Sequence, residues 1–107
     1  MATILSLAHG RDVREQRARM AQLARGGQPW KNSGGTFTGA PTTGVWATGR
    51  LPQEFVESAR SARYVIRSYA TPIAWLDRDG QWVVPDVTYS PTTSRHQSLV
   101  RCHVTAA

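Results

Sequence analysis

Tyr89-Ser90-Pro91-Thr92-Thr93-Ser94-Arg95-His96-Gln97 gathers four aliphatic hydroxyls, a guanidinium and an imidazole within nine positions, the densest set of reactive groups in the chain. If it opens a helix, the free backbone N–H groups of the first turn converge with Arg95 and His96 at the end where the helix dipole favours an anion. Thr92, Thr93, Ser94, Arg95 and His96 are therefore candidate phosphate contacts. The alternative is a hydroxyl-rich cap that satisfies the helix's own donors and leaves Arg95 in water. Catalysis by one of these hydroxyls would need His96 or His103 as base, a third group to orient the ring, and donors for an oxyanion. The sequence places neither the orienting group nor the donors, and the nearby acids Asp77 and Asp79 belong to a turn. No catalytic residue, metal-ligand set or cofactor is expected. Cys102 is the single cysteine, so no internal disulfide can form, and its neighbour His103 points away from it in any regular element.

Thirteen Lys and Arg against seven Asp and Glu give a formal charge of +6, and twelve of the thirteen cations are arginine. Guanidinium pairs bidentately with phosphate, so a polyanionic partner is the first electrostatic expectation. The alternative is a charge that only keeps a small protein soluble. The excess is densest at Arg11, Arg14, Arg17, Arg19 and Arg25, while Arg63, Arg67 and Arg78 lie around the sheet on which Trp75 and Trp82, flanking its turn, are expected as a near cross-strand pair. A basic sheet face with interleaved aromatics is compatible with nucleic acid.

The elements that position these groups follow from spacing. Residues 9–25 predict a helix, with Asp12 and Glu15 spaced as a capping box, a thin stripe of Val13, Met20 and Leu23, and Gly26-Gly27 as its stop. Residues 26–50 hold seven of the nine glycines and predict a loop, in which Trp30, Phe37 and Trp46 either anchor the loop or form a contact surface. Leu51 to Ala62 predicts a second helix, with Glu54 and Glu57 near its start and Arg60 and Arg63 near its end. From Tyr64 the period changes to two. Tyr64–Tyr69 predicts a strand with one buried face, Ile73–Leu76 a second, and Gln81–Val84 a third, joined to the second through a turn at Asp77-Arg78-Asp79-Gly80. A last helix, capped by Ser90 or Thr92, runs to about His103, although the alternation of Val100, Cys102 and Val104 also allows a strand over 99–104. The fold class is thus α+β: a small three-stranded antiparallel meander over about 63–85, packed on two helices. An Arg-rich helix and Gly-rich loop lie outside it or along one edge. Residues 1–50 form the partly flexible arm, and 51–107 the compact domain. The apolar patch Ile4–Ala8 has no basic stretch before it and is too short to span a membrane.

The blocks Ser-Tyr-Ala-Thr-Pro-Ile-Ala (68–74) and Tyr-Ser-Pro-Thr-Thr-Ser-Arg-His-Gln (89–97), in that order around a short glycine turn, resemble a family of small accessory proteins from tailed phages of actinobacteria. The resemblance covers about residues 64–97. That family is known as a domain of unknown function, so the resemblance implies a phage product acting in the host cytoplasm and carries over no reaction.

Two functions follow as expectations. The first is a non-enzymatic phage accessory protein that binds nucleic acid through phosphate contacts at Arg11, Arg14, Arg17, Arg63, Arg67, Thr92, Thr93, Ser94, Arg95 and His96. The second is a binder and inhibitor of a host bacterial protein, anchored by Trp30, Trp46, Trp75 or Trp82. Self-association through an exposed edge strand is a further possibility, and no membrane partner is expected.

Overall fold

The computed structural model describes residues 2–7, 12–42 and 47–105. Arg11, Trp46 and the first residues of the predicted N-terminal helix lie outside them. Among the described residues, six strands form one sheet in the order of the chain: β1 (Thr3–Leu5), β2 (Trp30–Asn32), β3 (Phe37–Pro41), β4 (Tyr64–Ser68), β5 (Thr71–Leu76) and β6 (Trp82–Val83). β1 and β2 are parallel, as their connection through helix α1 (Val13–Arg25) requires, and every later pair is antiparallel. Helix α2 (Gln53–Arg60) joins β3 to β4, and helix α3 (Pro91–Leu99) continues into a wider π-helical turn at Val100–Val104.

The class is α+β, but the three-stranded meander on two helices is overturned. β4, β5 and β6 stand where the period-two pattern put them. The sheet then extends by three strands, two of them inside the glycine-rich segment expected to be a loop. Depletion of glycine and proline from strands hid β3, whose five residues include Gly39 and Pro41. The N-terminal helix is part of the body rather than outside it: Met20, Ala21 and Ala24 share a core with Leu5, Trp30, Phe37, Tyr64, Ile66, Ile73, Val100 and Val104. β4 is buried on both faces, not one. Tyr64 and Ile66 join this first core, whereas Val65 joins a second one with Leu51, Val56, Ala59, Ala62 and Trp75. Helices α1 and α3 therefore cover one face of the sheet, and α2 covers the other.

Local chemistry explains the joints. Asp77 Oδ1 accepts from the amides of Asp79 and Gln81, both at 2.9 Å, and Gly80 takes φ 82°, which closes the β5–β6 turn as its sequence predicts. Pro72 is accommodated in β5 because β6 pairs only with Trp75 and Leu76, leaving the proline end of the strand without a neighbour on that side. Asp12 stands before α1, yet its side chain makes no capping bond; its carbonyl accepts from the Gln16 amide instead. At the far end of α1, Arg25 donates to the Val104 and His103 carbonyls, tying α1 to the orphan acceptors of the π turn. Residues 99–104 are therefore helical, not extended.

Gly39 stands opposite Trp30 in the β2–β3 pair. A Cβ there would lie 2.4 Å from Trp30 Nε1 and 2.6 Å from the Tyr64 hydroxyl. Gly39→Ala is expected to destabilise the fold by about 1–3 kcal/mol through overpacking. Gly34→Ala, where a Cβ meets nothing within 4 Å, should be near neutral. Urea denaturation midpoints of the two variants check this directly.

Candidate functional site

The sheet brings His96 onto Phe37. The two rings stack with centroids 4.3 Å apart and 4° between planes, and Phe37 in turn meets Trp30 edge-on at 4.9 Å. Behind His96 runs a line of hydroxyls. Ser90, the N-cap of α3, accepts from the Thr93 amide and donates to Thr93 Oγ1, each at 3.2 Å. Thr93 Oγ1 lies 3.0 Å from Ser68 Oγ on β4, and Ser68 Oγ lies 2.7 Å from His96 Nδ1. Each hydroxyl has one proton to give. The order that satisfies every member runs Ser90 to Thr93 to Ser68 to Nδ1, and we assign the ring proton to Nε2 on that basis. Nε2 makes no hydrogen bond among the described residues, so it is the ring nitrogen left for a ligand.

His96 borders a cleft of about 710 Å³ between α1, the β2–β3 hairpin and α3. Its cationic and imidazole lining is Arg17, Arg95, His96 and His103, with Asn32 and Thr92 among the polar groups and no aspartate or glutamate among the described lining residues. Arg17 is partly committed, since its Nε donates to the Leu7 carbonyl at 2.9 Å. Asn32 fixes the hairpin wall: its Oδ1 accepts from the Thr36 and Phe37 amides and its Nδ2 donates to Thr36 Oγ1. Burial first, and the Arg95 charge second, hold the His96 pKa below the ordinary histidine range. At neutral pH the ring is therefore uncharged and offers an N–H rather than a positive charge.

Of the ten residues the sequence singled out, Arg17, Thr92, Arg95 and His96 converge on this cleft. Thr93 belongs to the hydroxyl line and is buried, so it positions His96 rather than facing the opening. The Ser94 carbonyl accepts from the Ser98 hydroxyl, and Ser94 does not line the cleft. Arg14 is exposed on α1, away from the cleft lining. Arg67 alternates with Ile66 onto the α2 face of the sheet, and Arg63 Nε donates to the Asp77 carbonyl at 3.3 Å, so neither joins the other arginines. Trp75 and Trp82 do not form a pair: Trp75 faces α2 and bonds Ser58 Oγ through its indole N–H, while Trp82 packs edge-on against Tyr64 on the opposite face.

Ser68, Asn32 and Tyr69 were not singled out as site residues. No local pattern reveals Ser68, which lies 28 residues before the histidine it holds. A serine–histidine contact invites a nucleophile interpretation, but Ser68 is 1% exposed and lies beneath His96, out of reach of a substrate in the cleft. Among the described residues no three His, Cys, Asp or Glu gather as a metal site, and no helix is long and apolar enough to cross a membrane.

Fold and site together define a small α+β domain with a basic cleft beside a buried, hydroxyl-held histidine. The chain belongs to a family of unknown function, DUF8033, whose family model matches residues 23–106. No curated protein and no solved structure matches it.

The depressed His96 pKa sets a pH dependence. The unfolded chain takes up this proton near pH 6.5 and the folded protein only below that, so stability is full above about pH 6.5 and falls as the pH drops through the folded value. Replacing the histidine by His96→Gln should flatten this part of the profile, as followed by denaturant midpoints between about pH 7.5 and 5.

Proposed function

We propose that this protein is a non-enzymatic nucleic-acid-binding protein that takes phosphates in the cleft between α1, the β2–β3 hairpin and α3. The observation that carries this is the lining: Arg17, Arg95, His96 and His103 face one opening with no carboxylate among its described residues. Arg95 is exposed and supplies charge beside Arg17, while His96 supplies an oriented N–H without adding a further fixed charge. The same proposal takes the Ser68–Ala74 and Tyr89–Gln97 blocks as those of an accessory protein of actinobacterial tailed phages, acting in the host cytoplasm. Inhibition of a host protein through tryptophan anchors is the weaker reading, because Trp30 and Trp75 are already spent in the two cores.

Affinity for nucleic acid should fall roughly tenfold between about 50 and 200 mM salt, as release of counterions from two phosphates requires. Arg95→Ala should weaken binding and reduce the slope against log salt by about 1, whereas Arg67→Ala, on the other face, should leave it unchanged. Gel-shift titrations with duplex DNA, single strands and RNA measure both. Absence of any shift at about 50 mM salt contradicts the proposal.

A further inference from the structure

Tyr69 is the non-glycine residue with a positive φ, 56°, among the described residues, and it is also 58% exposed. It occupies the two-residue turn between Ser68 and Thr71, a position where glycine or asparagine would relax the backbone and where a large ring finds no core. Its amide is fixed by a 2.7 Å bond to the Thr36 carbonyl, so the turn is held in place from the hairpin that walls the cleft. The ring sits 6.5 Å from that of His96, tilted by 36°. The positive φ is a backbone cost that glycine would not bear, and the exposed ring beside the imidazole of the cleft belongs to neither core.

We propose that Tyr69 is a stacking platform for an unpaired base, and hence that the nucleic acid taken by the cleft is single-stranded. This rests on the proposed phosphate-binding role of the cleft. Bases in a duplex already stack on one another, whereas a single strand offers a free π-face for every base, and an aromatic ring beside cationic side chains takes such a face with little regard to sequence. The cleft volume of about 710 Å³ is that of a site for a small molecule, suited to one or two nucleotides at a time. A phosphate held by Arg95 and the His96 N–H leaves its base to reach outward to Tyr69.

Fluorescence anisotropy with a labelled oligothymidylate single strand and a duplex of equal length, at one fixed salt, tests this with four variants. Tyr69→Phe should bind the single strand as wild type does, and Tyr69→Ala and Tyr69→Gly should each lose about tenfold. Tyr69→Gly should at the same time melt no lower than wild type, because glycine relieves the positive φ, and this separates a lost contact from a damaged fold. If Tyr69→Ala and Tyr69→Gly bind as wild type while Arg95→Ala is weakened, the stacking role is overturned and the phosphate role stands. If wild type binds neither strand nor duplex, both are overturned.

Discussion

Trp30 lying across Gly39 is the contact on which the rest of the structure depends. The indole crosses from β2 onto the bare backbone of β3, and the Tyr64 ring from β4 comes in beside it with its hydroxyl donating to the Gln28 carbonyl at 2.8 Å. Three strands are locked by one side chain that is 1% exposed. Emptying a site of this kind costs on the order of 3–5 kcal/mol, a large share of the roughly 5–15 kcal/mol that keeps a small domain folded. Burial holds the Tyr64 phenol protonated far above its ordinary range, so the Gln28 bond persists across accessible pH.

That contact also reaches the cleft. Trp30 braces Phe37, Phe37 carries His96 on its face, and the Ser90–Thr93–Ser68 hydroxyls hold the other side of the imidazole. A buried imidazole clamped between a ring and a hydroxyl has one orientation and one tautomer, which is what a recognition group needs if its N–H is to meet a ligand without reorganising. The positive character comes from exposed Arg95 and half-buried Arg17 around it. Orientation is thus supplied by the core, and charge by the surface.

How much of this was legible depended on the range of the interactions. The Asp77–Gly80 turn, the Ser90-Pro91 helix start and the period-two strands were readable because their causes lie within four residues of one another. β2 and β3 were not, since Gly39 and Pro41 are poor strand residues on their own and are held there by Trp30 and Tyr64, distant partners that propensity cannot see. Within the polar cluster at 89–97 the cap is legible from Ser90-Pro91, and the structure divides the rest by position: Ser90 and Thr93 serve as cap and support, while Thr92, Arg95 and His96 line the cleft. Charge alone does not say which arginines share a surface: strand alternation puts Arg67 on the far side of the sheet from Arg17 and Arg95.

The most direct test of the central claim, that the cleft beside His96 is where an anionic chain is held, is a map of amide and side-chain NMR shifts on titrating a short single-stranded oligonucleotide into the labelled protein. The account predicts perturbations gathered at Arg17, Asn32, Tyr69, Thr92, Arg95 and His96, with the α2 face silent. Perturbations centred on Arg63, Arg67 and α2 instead, with His96 unmoved, would contradict it.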